Sequence, residues 1–179
     1  MSNQTNRNTK TQRILSIYHL LTHCAEVSMQ ELVRVMPESK KTFSRDIALL
    51  KKAGVQVRYS VKDKAFILSD EKHGELDFSA GKSEARYLEK LIRLITVMDD
   101  VPAADCDVWY IKTIPGATKR TMQRDFATLN SIGFRIKYER ETWNMHDAGM
   151  DVLPNHYYCD RPNGAFSLTT FEIHTIYRL

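Results

Sequence analysis

The chain has 179 residues, of which 42% are apolar and 27% charged, with a formal net charge of +4 and a pI near 8.9. That length suits one compact domain or two small ones. An aromatic content of 9% with 7 Gly and 5 Pro excludes collagen-like, low-complexity and wholly disordered classes. No run approaches the roughly 20 apolar residues that cross a bilayer, so no membrane partner is expected. The start, Met1 to Lys10, is polar rather than a secretory signal, and a cytoplasmic protein is the expectation. The net positive charge sits in residues 1–81, whereas residues 82–179 balance to zero.

Residues 1–9 read as a disordered basic arm. From Lys10 to about Thr22, Ile14, Leu15, Ile17, Tyr18, Leu20 and Leu21 form an apolar stripe of helical period. His19 and His23, four apart on this helix, read as a half-exposed polar edge. Ser28 with Glu31 three residues on is a capping box, which opens a second helix from about Met29 to Val35. Leu32, Val33 and Met36 are its predicted inward face, and Pro37 ends it. Ser39 caps a third helix running to about Lys52, with Phe43, Ile47 and Leu50 at i, i+4 and i+7. Gly54 suits its C-terminal turn. Alternating Val55, Val57 and Tyr59, a turn at Val61 to Lys64, and a return through Ala65 to Leu68 predict a β-hairpin. Three helices and a hairpin make a winged helix-turn-helix over residues 10–69. A polar linker at 70–82 follows.

The third helix then recurs. Lys40-Lys41-Thr42-Phe43-Ser44-Arg45-Asp46-Ile47-Ala48-Leu49-Leu50 reappears 79 residues later as Lys119-Arg120-Thr121-Met122-Gln123-Arg124-Asp125-Phe126-Ala127-Thr128-Leu129. The match runs on through Gly54 to Tyr59 and Gly133 to Tyr138. Such self-similarity marks two copies of one unit. The second copy, residues 83–168, has a first helix from about Ser83 to Met98, a second from near Asp105 to before Pro115, and a third capped by Thr118. Its hairpin starts at Phe134 and carries a long wing over Glu139 to Asn155. The return strand falls within His156 to Asp160 or Gly164 to Leu168. A tail at 169–179, with a Thr169–Glu172 capping box, reads as a short helix that packs on a partner subunit, with a strand alternating Phe171, Ile173 and Thr175 as the rival reading. The predicted class is α+β: mainly helical, with small hairpins, in two tandem winged helices.

With Phe43, Ile47 and Leu50 inward, the opposite face of the third helix carries Lys40, Lys41, Ser44 and Arg45, with Thr42 at the edge. The second copy offers Lys119, Arg120, Thr121, Gln123 and Arg124. A cationic face on a surface helix is ordinarily only solvated. Here it recurs at the N-terminal end of the third helix, where free N–H groups and the helix dipole attract phosphate and where helix-turn-helix proteins touch base edges. Arg reads guanine and Gln can read adenine, while Lys and hydroxyl groups hold the backbone and set register. Lys62 and Lys64 at the wing tip, with Arg58, are expected against phosphates or a minor groove. The arm Asn6 to Lys10 is placed to reach a neighbouring groove. Asp46 and Asp125 read as partners of a neighbouring cation or as caps that orient the face, rather than as catalytic carboxylates.

Other chemistry is sparse. Cys24, Cys106 and Cys159 are too few for a disulfide framework and read as reduced thiols. His156 and Cys159 have HxxC spacing, with His146 nearby, but a zinc site needs about four ligands at tight spacing and no metal or other cofactor is expected. Trp109-Tyr110 and Tyr157-Tyr158 read as packing residues. No GxGxxG, P-loop, GxSxG or HExxH is present, and the chain is not expected to be an enzyme.

Arg13-Ile14-Leu15, Ser28-x-x-Glu31-Leu32 and Thr42-Phe43-Ser44-Arg45-Asp46-Ile47-x-x-Leu50-x-x-Ala53-Gly54-Val55 resemble the DeoR-like winged helix-turn-helix of bacterial transcriptional regulators, in the variant that precedes WYL domains. The likeness covers residues 10–68 well and 84–138 more loosely. It implies sequence-specific duplex DNA binding, with Thr42, Ser44 and Arg45 on the recognition face, and a nucleoid-associated regulator. Such regulators carry a large C-terminal sensing domain, whereas here a second winged helix takes that place and no WYL triplet follows. A small-molecule effector is therefore not expected, and a homodimer is. The rival readings are a winged-helix protein-interaction adaptor and a DNA binder like a plasmid replication initiator.

Overall fold

The computed structural model describes residues 9–73, 81–140, 142–144, 151–153 and 155–160. It begins with helix α1, Lys10–His23. Thr9 caps it: its hydroxyl accepts from the Gln12 amide, and the Gln12 side chain accepts from the Thr9 amide at 2.7 Å. Ile14, Leu15 and Ile17 are fully buried. The short strand β1, Val27–Ser28, leads into α2, Met29–Val35, through the expected capping box, in which the Ser28 amide donates to Glu31 at 2.6 Å. Helix α3, Lys40–Lys52, follows. It buries Phe43, Ile47 and Leu50, as its period predicts.

The hairpin is β2, Val55–Ser60, with β3, Ala65–His73. The sheet is antiparallel in the order β1-β3-β2, with Val27 and Tyr59 both opposite Phe66. Strand β3 runs past the anticipated end at Leu68 and reaches four residues into the stretch expected to be linker.

Two expectations about side chains are corrected. Val33 is 38% exposed, not inward. A seven-residue helix presents only one narrow stripe, here Leu32 and Met36 at i and i+4, and Val33 falls beside it. His19 is buried at 4% exposure, not half-exposed, because it lies within the run of buried residues from Ile17 to Leu21.

The second half repeats the order. Helix α4 spans Lys82–Asp100, α5 Cys106–Thr113 and α6 Lys119–Asn130. Strand β4, Ile136–Glu139, pairs antiparallel with β7, His156–Cys159, so the return strand is the earlier of the two expected positions. Between them β5, Thr142–Asn144, pairs with β6, Asp151–Leu153.

Packing divides the chain into two compact units, and the division falls inside α4, after Ile92, rather than in the polar stretch before it. The reason lies in the first turns of α4. Glu84 pairs with Lys52 at 2.8 Å and the Tyr87 hydroxyl meets that of Thr11 at 3.4 Å, so these residues belong with the first unit. The expected arm residues 1–8, the linker core 74–80 and the tail 169–179 lie outside the described residues. The fold class is mixed α/β, with helices flanked by small antiparallel sheets. Among the described residues no helix is long and apolar enough to cross a membrane.

Candidate nucleic-acid interface

The two cation-bearing helices are the same object built twice. From Ser39 to Leu50 and from Thr118 to Leu129 the order of buried, half-buried and exposed residues is identical at all positions. Each begins with a hydroxyl cap: Ser39 accepts from the Thr42 amide at 3.2 Å and Thr118 from the Thr121 amide at 3.2 Å. Each cap also meets the hydroxyl three residues on at 2.9 Å. Such a cap satisfies one of the open N–H groups at a helix start and leaves the others directed outward. Each helix ends before a glycine with positive φ, Gly54 at 88° and Gly133 at 106°.

Lys40, Lys41, Ser44 and Arg45 are exposed, and Thr42 is half-buried. Lys119, Arg120, Gln123 and Arg124 are likewise exposed, with Thr121 half-buried. Among the described residues none of these lysines and arginines is held in an ion pair. Their charge is therefore not spent on a neighbouring carboxylate. The Ser44 hydroxyl donates back to the Lys40 carbonyl at 3.0 Å, and Gln123 Nε2 donates to the Tyr157 hydroxyl at 3.5 Å.

Beneath each face a buried ion pair ties the helix to the first helix of its unit. In α3, Asp46 is 2% exposed and accepts from Arg13 Nε at 2.5 Å and from Nη2 at 3.3 Å. Arg13 also reaches Glu38 at 3.3 Å. In α6, Asp125 accepts from Arg93 Nε and, at 3.3 Å, from Nη2. The Tyr110 hydroxyl donates to it at 2.6 Å. The hydrogen bond to its aspartate raises each guanidinium's pKa above the ordinary value. Burial, then the bond to Asp125, pushes the Tyr110 phenol well up, so it stays a donor at neutral pH. Each aspartate is thus a fixed acceptor inside the fold. The arginine beside it in sequence, Arg45 or Arg124, points the other way, to solvent.

The expected wing residues separate. Lys62 and Lys64 are exposed at the turn between β2 and β3, which the Ser60 hydroxyl closes by donating to Asp63 at 2.5 Å. Lys64 takes a positive φ of 52° there. Arg58 is exposed on the other face of β2 from Val55 and Val57, and it lines an open recess with Thr22, Cys24 and Ser69. It is therefore not brought together with the α3 face. The position 79 residues later, Lys137, pairs with Asp160.

Among the described residues no group of three or more His, Cys, Asp or Glu is arranged to hold a metal ion. His156 and Cys159, three apart on one strand, point to opposite faces. His156 Nε2 lies 3.6 Å from Glu139, and Cys159 is buried. His146 lies outside the described residues. Burial pushes the Cys106 thiol up to about 12 and raises that of Cys24, so neither is a ready thiolate near neutrality. Sequence reasoning did not find Arg13, Arg93 and Tyr110 as partners of the aspartates, and it used Tyr59 and Tyr138 only as hairpin and repeat positions, without a functional role. Only the recurrence of each tyrosine at the 79-residue offset could have pointed to that last pair. No protein-family model, no curated protein and no solved structure matches the chain.

Proposed function

We propose that the chain is a sequence-specific duplex DNA-binding regulator of the DeoR-like kind, built of two tandem winged helix-turn-helix units. In this reading α3 and α6 are recognition helices that enter the major groove by their N-terminal turns. What carries it is the duplicated exposed face, with unpaired cations and a hydroxyl cap, above a duplicated buried Arg–Asp pair. Helix starts with free N–H groups and cations suit phosphate. Arg45, Arg124 and Gln123 suit base edges, and Lys40, Lys41, Lys119, Arg120, Thr42, Ser44 and Thr121 suit the backbone. Lys62 and Lys64 extend the cationic surface from the wing tip. The regulator acts in the cytoplasm on the nucleoid, as a homodimer, with no cofactor and no small-molecule effector.

Selection of bound duplexes from a random-sequence pool, followed by binding of the Arg45→Ala and Arg124→Ala variants to the selected site, tests this. Recovery of a defined site at which each variant loses discrimination supports it. Recovery of no enriched sequence, or unchanged discrimination in both variants, overturns it. A protein-interaction role for the second unit has one observation in its favour: Val108 and Ile111, three apart on α5, are 47% and 46% exposed.

A further inference from the structure

Large aromatic side chains are normally covered, yet Tyr59 is 51% exposed and Tyr138 is 52% exposed. They stand 79 residues apart, at the same place in the two units. Each is the next-to-last residue of the first strand of its hairpin, and that strand packs on the third helix of its unit. Side chains two apart on a strand share a face. Val55 and Val57 are buried on the face that Tyr59 continues, and Ile136 is buried on the face that Tyr138 continues.

Each tyrosine also sits directly opposite an aromatic on the return strand. Tyr59 faces Phe66 with ring centroids 5.2 Å apart and planes tilted 59°. Tyr138 faces Tyr157 at 5.0 Å and 54°. Tyr157 in turn packs on Phe126 of α6 at 5.4 Å and accepts from Gln123 on the exposed face of that helix. In the second unit the aromatic pair is thus continuous with the cationic surface. The ring–ring contact explains why each ring is held in place. It does not employ the hydroxyl, and neither the Tyr59 nor the Tyr138 hydroxyl has a hydrogen-bond partner among the described residues.

We propose that Tyr59 and Tyr138 are backbone-contact residues, each donating its phenol hydroxyl to a phosphate oxygen of the duplex strand that borders the groove entered by the neighbouring helix. The proposal rests on the DNA reading above and deepens it. A phosphodiester is the occupant that the surroundings select: in the second unit the ring pair adjoins Gln123 on the cationic face of α6, in the first the exposed Lys62 and Lys64 follow Tyr59 within five residues, and phosphate oxygens are the acceptors that tyrosine hydroxyls meet on duplexes. A ring already clamped by its cross-strand neighbour loses little freedom on binding, so the contact is preorganised. Because the donor is neutral, it displaces no counterion and adds nothing to the salt dependence of binding, unlike a lysine.

The test uses the full chain and a random-sequence duplex about three helical turns long, titrated by fluorescence anisotropy over a range of salt. The Tyr59→Phe/Tyr138→Phe double variant keeps both rings and both ring pairs, and removes only the hydroxyls. It should lose at least about tenfold in affinity, the scale of a hydrogen bond to a charged group, with the slope of log affinity against log salt unchanged and the thermal melt unchanged. Wild-type affinity in this variant, when Lys40→Ala/Lys41→Ala binds more weakly, overturns the proposal and leaves the DNA reading standing. A lowered melting temperature that accounts for the affinity loss assigns the hydroxyls to the fold and also overturns it. If the wild-type chain binds no duplex even at low salt, the DNA reading itself fails and this inference falls with it.

Discussion

Arg13 on α1 grips Asp46 on α3 through two nitrogens, at 2.5 and 3.3 Å, while Arg45 next to that aspartate faces solvent. One charged residue locks the helix to its base and its neighbour is free to act outside. Arg93 and Asp125 repeat the arrangement under Arg124.

Breaking one side of a buried pair leaves the other charge buried without compensation, at a cost of about 3–5 kcal/mol. Asp46→Asn keeps the shape and removes the charge, so the first unit should lose about 3 kcal/mol, toward the low end because Arg13 retains Glu38 as a partner. Asp125→Asn should cost a similar amount, because the Arg93 side chain is 23% exposed and water screens part of the uncompensated charge. Urea unfolding monitored by circular dichroism measures both. A loss below about 0.5 kcal/mol, the range of ordinary surface changes, would contradict the buried role.

On selected DNA, Arg45→Ala should cost about 1–3 kcal/mol and relax discrimination at one base pair. Lys40→Ala/Lys41→Ala should weaken binding to every sequence and reduce the salt slope by about 2. The same treatment of Lys119 and Arg120 should do less. Lys51 adds charge along α3, where Lys52 is paired with Glu84, and α6 has no basic residue in its last turn. Equal slopes for wild type and the Lys40/Lys41 variant would sink the phosphate contacts.

Much of this architecture was legible in local signals. Ser28, Ser39 and Thr118 mark helix starts chemically, through the amides they satisfy, and the structure places all three at the N-cap. The exposed face of α3 followed from the period of Phe43, Ile47 and Leu50 alone. What escaped is non-local. The sequence offset of 79 would carry Arg13 to Ile92, yet the partner of Asp125 is Arg93. Both ion pairs join the first helix of a unit to its third but slip by one in sequence, so matching the copies at the fixed offset does not reveal them. Strand β1 has only two residues, ordered by pairing with Phe66 and Ala65. The allegiance of Glu84 and Tyr87 to the first unit depends on Lys52 and Thr11, more than thirty residues away, and no composition shift marks it.

Gly54 and Gly133 end their helices at φ of 88° and 106°. A Cβ in the left-handed region costs about 1–2 kcal/mol. Gly54→Ala and Gly133→Ala should each lower stability by about that amount. Gly133→Ala should cost more, because its φ lies further from the left-handed minimum near 57°. Thermal melts of the two variants rank them, and an unchanged melt in either would mean that the helix end relaxes to another conformation.

His19 makes the first unit sensitive to acid. Burial, and then the charge of His23, whose ring centroid is 4.0 Å away, lower its pKa from 6.5 to about 3. The folded form therefore keeps this ring neutral at pH values where the unfolded chain protonates it. Between about pH 6.5 and 3 the unfolded state binds the extra proton, so stability rises with pH through that window and is complete above it. From pH 7 to pH 5 this single group should remove about 2 kcal/mol. Carboxylates titrate mostly below that interval, so the effect separates from ordinary acid unfolding. Unfolding free energies at pH 7 and 5 for wild type and His19→Leu measure it: the wild type should lose stability on acidification and the variant should lose much less. A variant with the same pH dependence as the wild type would show that the proton goes elsewhere.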